Sequence, residues 1–308
     1  MLKQNDHLVI DVLSKQMKSD IRVFSNNVYF HYFRDVAKGA PEEEKSAHVK
    51  LLVDSLAEIG ADVLLLQEVS GGYFDWNGKT HDYDWHGRMD PMMVEKGYKL
   101  VDVELGKLQS SAVAKANKPD VNYTPIWYKE DLITLVDCGH KFYDSVALVP
   151  DAYISSSKSY TWAIFEEKAT GKRFGTLTTH FTWHGNRNMS LLCRTSDANE
   201  VIKKIDEIAE AYPGVPMIVM GDLNSTKYDQ PCMVLKQKLV DAKDRAGIVV
   251  NGHIRTCHGL GAYPGVGPAI DHIFTSAEGL NIKQYQVAIN DNTVKMTDHF
   301  PLGIDFSL

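Results

Sequence analysis

Residues 216–224 read Pro-Met-Ile-Val-Met-Gly-Asp-Leu-Asn. The opening residues have the composition of a buried strand, and Gly221-Asp222-Leu223-Asn224 ends it with a carboxylate and an amide. A polar group at the end of a buried strand must be paired, or held at an exposed rim for use. The same juxtaposition recurs three times. Leu66-Gln67-Glu68-Val69 ends the apolar run from Val63, and Ile270-Asp271-His272-Ile273-Phe274 sets an acid and an imidazole among apolar residues. Thr297-Asp298-His299-Phe300-Pro301 does so again. Four such clusters in one chain predict one shared site.

Working outward, Ile21 to Val28 reads as a first strand. A helix is expected after Pro41, with Glu42, Glu43 and Glu44 in its first turn, where acids suit the helix dipole. Its apolar stripe runs Val49, Leu52, Val53, Leu56 and Ile59 to a stop at Gly60. Residues 71–90, rich in Gly, Asp, aromatics and histidine, read as a loop. Further strands are predicted at Tyr98–Val103, Pro125–Tyr128, Leu132–Val136, Thr161–Glu166 and Phe174–His180. The last two flank a hairpin turn, Ala169-Thr170-Gly171-Lys172. A long helix from about Ser190 to Tyr212 stops at Pro213-Gly214, and short strands near 269–275, 282–289 and 300–306 close the chain. Many strands with a few long helices predict an α/β sandwich of packed sheets with helices outside. The whole of 1–308 reads as one domain, with residues 1–20 as an N-terminal extension.

Composition excludes some classes. No apolar stretch is long enough to span a bilayer, so no membrane insertion is expected. Residues 1–20 are not a good secretory signal, since Asp11 interrupts their apolar run. A cytoplasmic protein is expected if Met1 is the natural start, and a secreted one if a signal has been removed. The net charge of −7, from 33 basic and 40 acidic residues, weighs against a sequence-independent grip on nucleic acid. A bound divalent cation would supply positive charge that this count omits. Cys138, Cys193, Cys232 and Cys257 form no CxxC pair and lack zinc-finger spacing, so they read as simple thiols.

Taken singly, the clusters have bland readings. Glu68 can be a solvated strand-end carboxylate, Gly221–Asn224 a turn, and His180 a hydrogen-bonded edge histidine. Together they form a set. Carboxylates and an amide are hard oxygen ligands that suit magnesium or manganese better than zinc. Histidines beside them can donate to a phosphate and move protons near neutral pH. A metal, an acid to align water, and imidazoles for a phosphoryl group make a phosphoester hydrolase.

In this set the chain resembles the endonuclease/exonuclease/phosphatase superfamily, with its pancreatic-deoxyribonuclease-like fold. The resemblance runs from about Ile21 to Leu308, with six motifs in the family's order: a strand Asn, Gln67-Glu68, Thr179-His180, Gly221–Asn224, Ile270–Phe274 and Asp298–Pro301. It implies a four-layer α/β/β/α sandwich, two packed mixed β-sheets flanked by helices. It also implies roles. Glu68 is expected to be the principal ligand of Mg2+ or Mn2+, with Asn27 (preferred over Asn26) and Asp298 beside it. Asp222 would align or deprotonate the attacking water, and Asn224 would hold that water or a phosphate oxygen. His180 and His299 would contact the phosphoryl group, and Asp271 would fix the tautomer of His299. His272 is expected to be structural.

The substrate is less legible. Tyr73, Phe74, Trp76, His81, Tyr83, Trp85, His86 and Arg88 follow Glu68 and would share its rim. Trp85 and His86 are candidates for contact with a sugar or base, and Arg88 is expected to pair with Asp90. Asn186 and Arg187 are candidates for phosphate contact after His180, and Arg194 divides between phosphate binding and structure. Tyr263 to Pro268 reads as a rigid turn shaping the site. No long apolar loop for lipid contact and no basic wedge for duplex DNA is evident. A small soluble phosphoester, such as a sugar or polyol phosphate or a phosphodiester, is therefore expected. The alternatives are a magnesium-dependent nuclease of deoxyribonuclease type, and a binding protein of the same fold that has lost catalysis.

Overall fold

Alternation along the strands decides which layer each side chain joins. In the strand Ile21–Asn27, Ile21 and Val23 pack inward with Val63, Leu65, Ile126 and Tyr128, against Phe165, Ile218, Met220 and Ile273 of a second sheet. The residues between them, Phe24, Leu64, Leu66 and Trp127, face the other way. They bury against Val49, Leu52, Val53 and Leu56 of the helix Glu42–Glu58. On the far side, Ile164, Leu177, Val219 and Phe274 pack on Ala198, Val201, Ile205 and Ile208 of the helix Arg187–Ala211. The order helix, sheet, sheet, helix follows from these three clusters. Full burial of each such aliphatic side chain contributes about 1.5–3 kcal/mol.

The computed structural model describes residues 3–4, 12, 14–71, 73–76, 79–103, 123–148, 158–183, 186–259, 269–289 and 291–308. From edge to edge, the first sheet runs Lys3–Gln4, Ile248–Val250, Asn281–Val287, Leu302–Ser307, Ile21–Asn27, Val63–Gln67, Ile126–Tyr128 and Lys99–Leu100. The second runs Val240–Asp241, Asp271–Thr275, Met217–Asp222, Arg173–His180, Ser159–Glu167 and Ile133–Phe142. Both are mixed: Ile21–Asn27 is parallel to Val63–Gln67, and Arg173–His180 is parallel to Met217–Asp222. The predicted turn from Tyr263 to Pro268 lies outside the described residues.

Register brings the polar strand ends together. His180 lies opposite Asp222, and Asp222 opposite Asp271, so three chemically active side chains stand abreast on one face of the second sheet. In the first sheet Asn27 lies opposite Gln67, one residue before Glu68. Gln67 then spans the sandwich: its amide donates to Ser25 Oγ at 2.9 Å and to Thr178 Oγ1 at 2.9 Å.

The stretch after Glu68 departs from the loop expected of it. Tyr73–Trp76 and Lys79–Asp82 form a hairpin, and Trp85–Glu95 is a helix despite Pro91. Asp84 caps that helix by accepting from Gly87 N, and Trp85, Met89 and Met93, four apart, bury one face. The dense Gly, Asp and Trp content concealed this helical spacing. Arg88 is likewise not paired with Asp90. It bridges Glu42 and Asp82, with contacts of 2.6 and 2.7 Å. The short helices Gln230–Leu235, Ala242–Arg245 and Asp291–Met296 and the strand Ile248–Val250 were also unforeseen.

Candidate active site

Glu68 sits just past its strand with a φ of 65°, a left-handed conformation that costs a non-glycine residue on the order of 1–2 kcal/mol. Phe30 N donates to its Oε2 at 2.5 Å and helps hold it there. Asn224 is also left-handed, at φ 48°. Its backbone N donates to Asp222 Oδ1 at 2.8 Å, and Arg194 holds its carbonyl. Gly221 has φ 142°, and a Cβ there would run into the carbonyl of Thr179, so the strand can approach its neighbour only with glycine.

The two sheets meet at Asp222. His180 Nε2 lies 3.3 Å from Asp222 Oδ2, and His299 Nε2 lies 3.8 Å from the same oxygen. Asn27 Nδ2 donates to it at 3.1 Å. Glu68 Oε1 is 3.7 Å from His180 Nδ1. His299 Nδ1 is 2.8 Å from Asp271 Oδ2, and its Nε2 is 3.9 Å from Asp298 Oδ1. Asn26 turns elsewhere, donating to the carbonyl of His299 at 3.1 Å. The eight residues expected at the core of the site, Asn27, Glu68, His180, Asp222, Asn224, Asp271, Asp298 and His299, thus converge. His272 stands behind them, its ring 2.7 Å from the carbonyl of Ser225.

Two groups at this locus escaped the sequence reading. Lys158 is buried, with Nζ against both nitrogens of His180, 2.8 Å from Nδ1, and 3.8 Å from Glu68 Oε1. Tyr123 stacks on His180 with ring centroids 6.0 Å apart. Lys158 lies among serines just before the predicted strand Thr161–Glu166, and only the pairing of that strand with Arg173–His180 would have brought it to the site.

The electrostatics divide the site. Burial raises the Glu68 carboxyl, but Lys158 and His180 outweigh it and leave the group below its ordinary value. Asp222 is held far below the usual carboxylate range: burial opposes its charge, and the imidazoles of His180 and His299 overcome that. Asp298 is pushed up to about 6, chiefly by burial. His180 is driven down by burial and by Lys158. His299 is held well above the ordinary imidazole value, because Asp271 outweighs the burial that acts against it. Lys158 is lowered, by burial first.

The donor set fits a hard cation. Among the described residues Asp298 Oδ1 is buried without a hydrogen-bond partner, and an oxygen so placed needs a positive group. Ligand atoms of Asp222, Asp271 and His299 lie within 4.8 Å of one another, as do those of Cys257, Asp298 and His299. The second trio offers a thiol and an imidazole, yet Asp271 already holds the other nitrogen of His299. The oxygens of Glu68, Asn27 and Asp298 are the better match to magnesium or manganese.

The outlying candidates fare differently. Trp85 is fully buried among Tyr32 and Phe33, so it is a core residue and offers no stacking face to a ligand. His86 is held by Asp90 at 3.0 Å. Asn186 caps the long helix, its Oδ1 accepting from Asn188 N and Met189 N, and Arg187 is exposed in the first turn. Among the described residues no two of the four cysteines form a disulfide. Among the described residues no helix is long and apolar enough to cross a membrane.

Such a sandwich, with acids and imidazoles gathered where its two sheets meet, defines a class. The model of the Endonuclease/Exonuclease/phosphatase family matches residues 27–299, and the chain belongs to that family. Its members are hydrolases acting on phosphoester bonds. Among solved structures, a mannosyl-6-phosphatase of Bacteroides thetaiotaomicron is 19% identical, with a TM-score of 0.66, over 94% of this chain and 100% of that one. The human Nocturnin catalytic domain with bound sulfate is 17% identical, covering 94% of each chain at a TM-score of 0.62. TDP2 of D. rerio, complexed with single-strand DNA product, is 16% identical over 94% and 100%, at 0.60. Identities this low speak to the fold alone. No curated protein matches the chain by sequence.

Proposed function

We propose that the chain is a divalent-metal-dependent hydrolase of small soluble phosphoesters, with sugar or polyol phosphates as the favoured class. The observation that carries this reading is the pairing of two imidazoles on one ionised carboxylate, Asp222, facing Glu68 and Asp298. Glu68, Asn27 and Asp298 would hold the cation, which when bound supplies Lewis acidity to the phosphoryl oxygens and the leaving group.

The chain's own residues do the rest. Asn224 Nδ2 donates to the carbonyl of Phe181 at 3.0 Å, which fixes its amide beside His180. The His180 ring is held between the Lys158 ammonium, which contacts both of its nitrogens, and Asp222, with Nε2 3.3 Å from Oδ2. Asp222, so firmly ionised, is a weak base; its work is to align the attacking water in line with the phosphorus. His299, an imidazolium in the grip of Asp271, turns Nε2–H toward the gap between Asp222 and Asp298. There it can donate to a phosphoryl oxygen as negative charge develops. Phe30, half-buried beside Glu68 and stacked at 4.4 Å on the buried Tyr83, gives an aromatic flank against which a sugar ring could pack.

The mannosyl-6-phosphatase among the structural neighbours accords with a sugar phosphate. The DNA complex of TDP2 keeps a nuclease as the second reading. Release of nitrophenol from mono- and bis-nitrophenyl phosphate, with magnesium and with chelator, tests the hydrolase. Supercoiled plasmid run beside a panel of sugar phosphates separates the two substrate classes. Plasmid nicking without turnover of any sugar phosphate would replace the first reading with the second. No metal-dependent release on any substrate would leave a binding protein.

A further inference from the structure

Lys158 acts in that mechanism only through the His180 ring, yet its placement is specific. Its carbonyl accepts from Tyr143 N at 3.0 Å, which ties the backbone to the end of the strand Ile133–Phe142. Its side chain is only 6% exposed, so its charge is directed at the site and not at solvent. The ammonium has three protons. Among the described residues its neighbours are the His180 ring, Glu68 Oε1 at 3.8 Å and the Tyr123 ring at 5.9 Å. Other shielded lysines of this molecule close fully on a carboxylate: Lys45 on Asp82 at 2.7 Å, Lys15 on Asp62 at 2.5 Å. Lys158 stands off Glu68 beyond hydrogen-bond reach and retains protons for a further oxygen.

Charge says which oxygen. The ammonium faces Glu68 with Asp222 and Asp298 nearby, so any anion entering here meets three carboxylates. A phosphodiester brings one negative charge, and a phosphomonoester brings up to two. The second charge is the one a resident ammonium serves, because each charged hydrogen bond to phosphate is strong in a water-poor site. We propose that Lys158 is a phosphoryl-binding residue that biases this site toward phosphomonoesters over phosphodiesters. This rests on the hydrolase reading above for the identity of the site.

The experiment uses the full chain and its Lys158→Met and Lys158→Arg variants, with circular dichroism to verify folding. Calorimetry with inorganic phosphate, in magnesium and in chelator, measures binding without turnover. For Lys158→Met the phosphate Kd should rise roughly 10- to 100-fold. The value of kcat/KM should fall by a similar factor on 4-nitrophenyl phosphate, and by no more than about 3-fold on the bis ester. Lys158→Arg, which keeps the charge, should recover part of the monoester loss. Wild-type phosphate affinity in Lys158→Met, or equal losses on both esters, would overturn the assignment. So would tighter Mn2+ binding with phosphate unchanged, which would make the lysine a guard of the cation site. If the wild type cleaves neither ester the hydrolase reading falls, whereas the phosphate titration still reports on Lys158 alone.

Discussion

His180 and His299 reach the same Asp222 oxygen from different sheets, at 3.3 and 3.8 Å, and their ionisation diverges. Both are buried, which disfavours charge on each. His299 has a carboxylate at 2.8 Å on its other nitrogen and is held cationic. His180 has the Lys158 ammonium against both of its ring nitrogens, and burial together with that charge holds it neutral. One neighbour, Asp271 against Lys158, separates the two halves of the site. Titratable groups pushed apart in this way mark division of labour: a neutral imidazole to orient a carboxylate, and a charged one to meet an anion.

The harshest way to break the pairing is to remove what both rings share. Asp222→Asn should lower turnover by roughly 1,000-fold or more with the fold intact, since it removes the anion that both imidazoles approach. Steady-state rates with a thermal melt check this, and a loss under tenfold would mean that the shared oxygen is not where water is aligned. Glu68→Ala and His299→Ala should each cost on the order of 100-fold or more. A Glu68→Ala enzyme with near-native, chelator-resistant activity would defeat the cation assignment.

Asp271→Asn sharpens the contrast. Without its carboxylate, His299 falls toward the ordinary imidazole range and loses its proton as pH rises. The variant should be down roughly 10- to 100-fold at neutral pH, with the deficit widening from pH 6 to pH 8. A deficit that stays constant across that range would show that Asp271 orients the ring without setting its charge.

How much of this was legible varies by region. The residues that interrupt apolar runs, Glu68, Asp222, Asp271 and Asp298-His299, announced themselves, because burial makes an acid conspicuous among Val, Ile and Met. The strands and their covering helices followed from short apolar runs and helical spacing, and the four-layer order from the family resemblance. Residues 71–95 did not. Trp85, Met89 and Met93 carry a helical stripe, but Gly87 and Pro91 lie within it and the flanking acids read as turns. That misreading placed Trp85 at the rim when packing needs it in the core. Lys158 and Tyr123 were invisible for a different reason. They follow stretches with no periodic pattern, and only strand pairing and ring stacking bring them to His180.

The mildest test concerns a carboxylate behind the site. Asp197, in the helix Arg187–Ala211, is buried and accepts from Thr182 N at 2.7 Å, two residues beyond His180. Burial pushes it up to about 7. An acid whose folded value is raised binds its proton more tightly when folded. Its stabilisation is therefore complete below its unfolded value near 4 and is lost as pH rises toward 7. Asp197→Asn keeps an oxygen for Thr182 and removes that penalty. The variant should melt like the wild type near pH 4 and gain on it up to about pH 7, by roughly 2–4 kcal/mol, before levelling off. A stability difference independent of pH between 4 and 8 would show that Asp197 is ionised throughout, and that the ground behind His180 is more polar than its burial implies.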